Sequence, residues 1–177
     1  MKKIIVIVIC LFFLTEIHAT MKLTSSAFTH NTYLPQKYTC DGQGINPPLK
    51  WEQVPTATKT FVLLVEDPDA PSAQHPRPEG PWVHWIVFNI PSPVTQIPEN
   101  GSISELGAAQ GINDAKKNNF YGACPPQGSG VHRYFFRLFA LDTKLDLAIG
   151  ATKEQVMRAM QGHIVAQAEL IGLYKRN

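Results

Sequence analysis

The distribution of proline constrains the fold more than any other feature of this sequence. All 14 prolines fall between Pro35 and Pro126, and none follows in the remainder of the chain. Proline fixes φ and has no backbone N–H, so it interrupts helices and the interior of sheets. The middle of the chain is therefore predicted to form short strands joined by rigid turns, and the longer uninterrupted elements are expected toward its end.

Three apolar runs bounded by proline-rich segments are typical of β-strands. They cover residues 60–66 (TFVLLVE), 83–90 (VHWIVFNI) and 132–141 (HRYFFRLFAL), and they are rich in β-branched and aromatic residues. In the third run, the odd-numbered residues from 133 to 137 are expected on one face of the sheet and the even-numbered residues on the other.

One helix is predicted after these strands. Thr152 and Gln155 form a capping-box pattern at its start, and three apolar residues recur behind them at helical spacing, namely Met157, Met160 and Ile164. Residues 168–176 are expected to close the sheet as a last strand. The chain is therefore predicted to fold into a mainly β domain with few helices.

The N-terminal residues have the pattern of a secretory signal. Two lysines precede an apolar run at 4–14, and Ala19 supplies a small residue at the expected cleavage point. The run is too short to span a bilayer, which needs about 20 apolar residues. Residues 1–19 are therefore predicted to be a signal peptide, and residues 20–177 a single periplasmic or secreted domain with no stable membrane anchor. An uncleaved anchor is the alternative.

Export changes the interpretation of the cysteines. The predicted mature chain retains Cys40 and Cys124, and a disulfide persists in an oxidising compartment. Neither cysteine lies in a metal-ligand spacing such as C-x-x-C, so zinc binding is not expected. A disulfide and two buried free thiols remain as alternatives, because the sequence does not show whether the two Cα atoms come within bonding distance.

Composition and motifs exclude several classes of function. Charged residues make up 17% of the chain and the formal net charge is +2, with no long run of like charge, which argues against a nucleic-acid partner. The sequence has no G-x-S-x-G, H-E-x-x-H or P-loop pattern. Serine-hydrolase, zincin and nucleotide-hydrolase chemistry are therefore not indicated, and neither a cofactor nor a metal is predicted.

Polar side chains lie at or near the ends of the predicted strands. Asp67 follows the first strand in the segment DPDAP, where two prolines fix the backbone. His84 lies within the second strand, and His132 opens the third. Taken alone, Asp67 is explained by a rigid turn, and His84, which lies among tryptophans, is explained by a position in the core. Together they predict a shared pocket.

Several segments resemble the phosphatidylethanolamine-binding protein family, which includes the Raf kinase inhibitor proteins. In chain order they are DPDAP at 67–71, WVHWIVFN at 82–89, YGACPP at 121–126 and GVHRY at 130–134, and both YTCDG at 38–42 and AELIGLY at 168–174 are similar to the bacterial branch. The resemblance implies two packed sheets, a Greek-key-like β-sandwich with a few peripheral helices. It also implies a small surface cavity that accepts phosphate, acetate and similar anions.

Carried over by position, the resemblance identifies the residues of this cavity. Its lining is expected from Asp67, His84 and His132, with Tyr134 near the rim and a backbone edge from Ala123, Cys124 and Pro125. The resemblance also implies cis peptide bonds at Ala70–Pro71 and Gly80–Pro81, and it implies a homodimer.

The charges of this residue set need an explanation, because a carboxylate in an anion pocket repels the ligand. The repulsion is avoided if the carboxylate bonds an imidazole and favours the protonated ring. Asp67 is therefore predicted to orient a histidine, and His84 and His132 to donate to the anion. Backbone N–H groups at 122–124 are expected to complete the cradle.

Three functions are consistent with these observations. The first is an exported protein that binds a small anionic group, either phosphate or a phospholipid head group. The second is an inhibitor or regulator of another protein, such as a protease or kinase, as the resemblance implies. The third is an enzyme that uses Asp67 with His84 or His132 in acid–base catalysis. A non-catalytic protein is preferred because the motifs supply no nucleophile.

Overall fold

The three predicted apolar strands lie side by side at the centre of the main sheet. The computed structural model describes residues 20–176, so the predicted signal peptide lies outside the described residues. The elements in chain order are β1 (Lys22–Thr24), β2 (Thr32–Tyr33), a short 3-10 helix (Gln36–Tyr38), β3 (Leu49–Glu52), β4 (Thr60–Asp67), β5 (Pro71–Ser72), β6 (His75–Pro76), β7 (Trp82–Pro91), β8 (Gln96–Ile97), β9 (Ala109–Gln110), β10 (His132–Leu141), α1 (Lys153–Met160) and β11 (Ile164–Tyr174). No helix within residues 20–176 is long and apolar enough to cross a membrane.

Two sheets pack against each other, which confirms the predicted mainly β fold. The larger sheet has the strand order β2-β11-β10-β4-β7-β9, the smaller has the order β1-β3-β8, and β5 and β6 form a separate two-stranded ribbon. Strands β4, β7, β10 and β11 pair antiparallel. Because neighbouring strands run in opposite directions, the end of β4 lies beside the starts of β7 and β10. The predicted polar residues are therefore brought to one end of the sheet.

The larger sheet buries both of its faces. Along β4, Phe61, Leu63 and Val65 pack in the core shared with the smaller sheet, whereas Val62 and Leu64 pack in a second core. The residues that complete the second core include two from helix α1, Val156 and Met160. This burial on both faces explains why the β4 sequence is a continuous apolar run and not an alternating one.

The helix begins as predicted and ends earlier than predicted. Thr152 accepts the N–H of Gln155, whose side chain accepts the Thr152 N–H in return, so the capping box is confirmed. However, Ile164 lies in β11 and not in the helix, because a turn with Gly162 at φ 78° intervenes. Ile164 and Met157 are exposed, and Val156 and Met160 are the buried residues of the helix.

The last strand also begins earlier than predicted. It was expected from residue 168, whereas β11 runs from Ile164 to Tyr174 and pairs with the whole length of β10. The alternation predicted for β10 is confirmed, because Tyr134, Phe136 and Leu138 are buried while Arg133 is exposed.

Candidate functional site

A cavity of about 310 Å³ opens where β4 ends and β7 and β10 begin. It brings together Asp67 at the end of β4, His84 in β7 and His132 at the start of β10, the three side chains that the sequence analysis assigned to a common pocket. The remaining lining residues are Ala70, Pro71, Arg77, Trp82, Tyr121, Cys124, Pro125 and Pro126. Most of the wall is therefore apolar or proline-rich, with a few polar groups.

A β-bulge places His84 in this cavity. Val83 pairs with Glu66 and Trp85 pairs with Val65, so β7 has one extra residue at His84 relative to β4. The bulge changes the alternation of the strand, since Val83 packs in the second core and Trp85 in the first. Bulges redirect side chains in this way and are frequent next to functional sites. Strand alternation alone does not predict this position.

One nitrogen of the His84 ring is hydrogen-bonded and the other is not. Its Nδ1 donates to the Tyr121 carbonyl at 2.7 Å, and Nε2 has no hydrogen-bond partner among the described residues. Burial lowers the pKa of His84 below its ordinary value of 6.5, although the Tyr121 carbonyl and the charge of Asp67 act in the opposite direction. The ring is therefore neutral near pH 7, and its Nε2 carries a lone pair and no proton.

Asp67 accepts a hydrogen bond from His132, which is the contact that the predicted orienting role requires. Its Oδ2 accepts the His132 Nδ1–H at 2.7 Å, and its Oδ1 accepts the Asp69 N–H at 2.8 Å. Both residues are buried. The Asp67 carboxylate thus accepts one N–H from the turn and one from the His132 ring. It stabilises the turn and contacts the ring at the same time.

The other nitrogen of His132 has a protein partner that the sequence analysis did not anticipate. His132 Nε2 lies 3.0 Å from Ser129 Oγ, and the Ser129 hydroxyl also bonds the Pro126 carbonyl at 2.7 Å. The turn before β10 therefore covers the nitrogen that was expected to donate outward. Of the two predicted imidazole donors, only His84 retains a ring nitrogen without a partner in the described residues.

Tyr134 lies behind the cavity and not at its rim. It is 2% exposed, and its ring meets the His84 ring edge-on with the centroids 5.1 Å apart. Burial, followed by the negative charge of Asp67, raises the pKa of the Tyr134 phenol, so the group stays neutral. Its hydroxyl is buried without a hydrogen-bond partner among the described residues. The ring therefore supports His84 from the core side.

The predicted backbone edge lines the cavity in part. Cys124 and Pro125 belong to the lining, whereas Ala123 is buried behind it. The Ala123 N–H is taken by the Tyr38 carbonyl at 3.3 Å and its carbonyl by the Cys40 N–H at 3.1 Å. These bonds hold the wall in place, but they leave the Ala123 N–H unavailable for an anion.

A disulfide joins Cys40 to Cys124, with the sulfurs 2.06 Å apart and the Cα atoms 5.3 Å apart. Of the two alternatives for these cysteines, the structure has the bonded one. Because Cys124 is a lining residue, the bond ties the cavity wall to the segment around Thr39, which also bridges to Ala123. The disulfide is thus part of the site.

One of the two predicted cis peptide bonds is present. Ala70–Pro71 is cis as expected, whereas the expectation for Gly80–Pro81 is wrong, since that bond is not cis. Gly80 has φ 95°, a conformation that glycine reaches without strain.

Asp69, in the DPDAP turn, is held by Arg133, whose Nε and Nη2 both donate to its carboxylate at 2.8 Å.

Six lining residues were not among the predicted site residues: Ala70, Pro71, Arg77, Trp82, Tyr121 and Pro126. Ala70, Pro71 and Pro126 are close in sequence to predicted residues. Trp82 lies two residues before His84 in the same strand. Residues two apart in a strand share a face of the sheet, so this spacing could have predicted Trp82 as a lining residue. Arg77 and Tyr121 lie outside the long strands, and their sequence neighbours do not predict their position. Among residues 20–176 no group of three or more histidine, cysteine, aspartate or glutamate side chains is placed to hold a metal ion.

The lowered pKa of His84 predicts a specific pH dependence of stability. Below about pH 6.5 the unfolded chain binds a proton at His84 that the folded protein does not. As the pH is lowered from this value, the free energy of unfolding therefore decreases until the pKa of His84 in the folded protein is reached. We expect His84→Gln to remove this part of the acid sensitivity. Thermal unfolding of both proteins between about pH 5 and 8 measures it, and parallel curves for the two proteins would contradict the assignment.

Comparison with known proteins defines the class to which this fold and site belong. The family model described as phosphatidylethanolamine-binding protein matches residues 24–175. The chain belongs to the phosphatidylethanolamine-binding protein family.

Similar proteins come from bacteria and archaea. The chain is 49% identical over 160 residues to a UPF0098 protein of Methanothermobacter thermautotrophicus, covering 88% of this chain and 99% of that protein. Its structure resembles a putative phosphatidylethanolamine-binding protein homolog from Chlamydia trachomatis, with 44% identity, a TM-score of 0.81, and coverage of 89% and 99% of the two chains. It also resembles E. coli YbcL, with 32% identity, a TM-score of 0.80, and coverage of 90% and 100%. These comparisons confirm the predicted family and fold.

Proposed function

We propose that this protein is exported and binds a small anionic group, phosphate or a phospholipid head group, in the cavity beside His84. The observation that carries the proposal is the free Nε2 of the buried His84 ring, which shares an otherwise mostly apolar cavity with the Asp67–His132 pair. Membership of the phosphatidylethanolamine-binding protein family favours a binding or regulatory role over catalysis.

Anion binding at this site requires a proton. A neutral His84 with its hydrogen on Nδ1 presents only a lone pair at Nε2, which repels an anionic oxygen. Once protonated, Nε2 becomes a donor, and the anion offsets the cost of a buried charge. Because the pKa of the free ring is lowered by burial, affinity is expected to rise as the pH falls and to level off once the free ring is itself protonated.

The size of the cavity limits what enters it. Its volume of about 310 Å³ equals that of about ten water molecules in the liquid. A phosphate or a phosphorylated head group fits in this space, whereas the acyl chains of a whole lipid remain outside.

Two features support export. Residues 1–19 have the pattern of a cleavable signal, and the Cys40–Cys124 disulfide belongs to a class of bonds that persists in oxidising compartments. An intact Met1 terminus on protein isolated from its host would contradict the signal-peptide assignment. A regulatory role toward a protease or kinase stays an alternative prediction, and a stable partner recovered with the protein would favour it.

Replacement of His84 tests the binding proposal directly. We expect His84→Gln to weaken phosphate and phosphoethanolamine binding by about 2 kcal/mol, the range for a lost hydrogen bond to a charged group, which is roughly 30-fold in Kd. Calorimetric titration at mildly acid pH measures the change. His163→Gln serves as the matched control, because His163 bonds Asp142 on the surface and does not line the cavity. Equal affinities for His84→Gln and the parent would contradict the proposal.

A further inference from the structure

One wall of the cavity carries a cation that the proposed anion site leaves unused. Arg77 lines the same cavity as His84 and is the sole lysine or arginine among its described lining residues. Its Nη1 donates to Asp114 Oδ2 at 2.6 Å, and its guanidinium carbon lies 4.9 Å from the centroid of the Trp82 ring. The guanidinium is therefore held on two sides, and its side chain is 24% exposed.

Further hydrogen bonds hold Arg77 and the carboxylate that binds it in place. Asp114 accepts the Val83 N–H at 3.0 Å as well as the guanidinium, and the Arg77 backbone N–H donates to the Ala70 carbonyl at 3.0 Å. Burial opposes ionisation of Asp114, but the bonds from Val83 and Arg77 lower its pKa, so the carboxylate that holds the arginine stays charged.

These contacts leave most of the guanidinium donors free. Arginine has five side-chain N–H groups, and the Arg77 side chain makes one hydrogen bond within the described residues, the one to Asp114. Glu79 lies 3.7 Å from Nε, beyond hydrogen-bond distance, and is exposed. Several N–H groups of a positioned cation are therefore available to a ligand in the cavity.

Trp82 supports the guanidinium with its ring and offers no donor to the cavity. The ring belongs to the cavity lining, but its Nε1 is buried and has no hydrogen-bond partner among the described residues. Because this N–H has almost no accessible surface, a ligand in the cavity does not reach it. The role of Trp82 is therefore the cation–π contact that holds Arg77.

We propose that Arg77, held by Asp114 and the Trp82 ring, forms a second anion subsite, closer to the mouth than His84, so that the cavity binds compact molecules with two separated anionic groups. The inference rests on the proposed function, because the inner group of such a ligand is the anion bound beside His84. The outer group is a carboxylate or phosphate whose oxygens accept hydrogen bonds from the Arg77 guanidinium.

The test compares inorganic phosphate, which has one anionic group, with phosphoglycolate, which has two joined by one carbon. In calorimetric titrations the parent is expected to bind phosphoglycolate at least tenfold more tightly than phosphate. Arg77→Gln is expected to weaken phosphoglycolate binding about tenfold, a loss typical of one hydrogen bond to a charged group. Phosphate binding is expected to change less than about twofold.

Controls separate the subsite from general effects of charge and folding. Arg158→Gln removes the same charge from an exposed position on α1 and is expected to leave both affinities unchanged. Arg77→Lys keeps the charge without the planar fork, so it is expected to restore part of the phosphoglycolate preference. Thermal unfolding of each variant confirms that it is folded.

The outcomes distinguish this inference from the proposed function. A parent that binds phosphate but shows no preference for phosphoglycolate overturns the second subsite alone. Equal losses for both ligands in Arg77→Gln also overturn it, because Arg77 then belongs to a single anion site. A parent that binds neither ligand overturns the proposed function, and the second subsite with it.

Discussion

Replacing Cys40 and Cys124 together with alanine is expected to lower the free energy of unfolding by about 4.5 kcal/mol. The two residues are 84 positions apart in the chain, and the chain-entropy model assigns a larger stabilisation to a longer closed loop. For a domain of this size the loss corresponds to a fall in the melting temperature of roughly 9–18 °C.

Reductant provides the matched comparison for this prediction. Adding a thiol reductant to the parent is expected to reproduce the loss once the bond is broken, and adding it to the Cys40→Ala, Cys124→Ala protein is expected to change nothing. Because Cys124 also lines the cavity, the loss of the bond is expected to weaken phosphate binding as well. Melting temperatures that do not respond to reductant in the parent, with free thiols demonstrated, would contradict the prediction.

Asp67→Asn is expected to destabilise the protein by about 3 kcal/mol and to weaken phosphate binding, although it removes a negative charge from an anion site. The carboxylate accepts N–H groups on both of its oxygens, from His132 at 2.7 Å and from Asp69 at 2.8 Å. An asparagine has one acceptor oxygen, so its amide nitrogen faces one of these donors. If the amide nitrogen faces the ring, His132 must change tautomer or lose its partner; if it faces the turn, the Asp69 N–H loses its acceptor.

The sign of the binding change separates two explanations of Asp67. If the carboxylate only repels the ligand, the neutral asparagine binds phosphate more tightly than the parent does. If the negative charge of Asp67 favours the protonated form of His84, which is the form that binds the anion, phosphate binding is weaker in Asp67→Asn. Chemical denaturation and calorimetric titration of the same protein measure the stability and the affinity. An Asp67→Asn protein that binds phosphate as well as the parent would contradict this role of the Asp67 charge.

The regular elements of this fold could be predicted because their signals are local. The apolar run at 60–66 became β4 in full, since a strand buried on both faces needs apolar residues throughout. The capping box at Thr152 and Gln155 likewise marks the start of α1, because both partners lie within one turn. The predicted end of α1 was wrong, because the apolar residue Ile164 continues the helical spacing beyond the turn that ends the helix.

The site could be predicted only as a set of residues, not as a set of contacts. Asp67, His84 and His132 follow from strand ends and from the family resemblance, and they do share one cavity. The bulge at His84 depends on pairing with β4, and the contact of Ser129 with His132 depends on the shape of a turn. Such features arise from tertiary structure, so neither spacing nor composition reveals them.

Proton uptake on anion binding tests the central claim most directly. Sulfate remains a dianion across the pH range in which histidine titrates, so any proton taken up when it binds goes to the protein. Titrating sulfate at neutral pH into the parent, in two buffers of different ionisation enthalpy, gives the number of protons bound per anion. The account predicts an uptake approaching one proton in the parent, because the His84 ring is neutral before binding, and none in His84→Gln. Sulfate binding with no buffer dependence in the parent, or with the same uptake in His84→Gln, would contradict it.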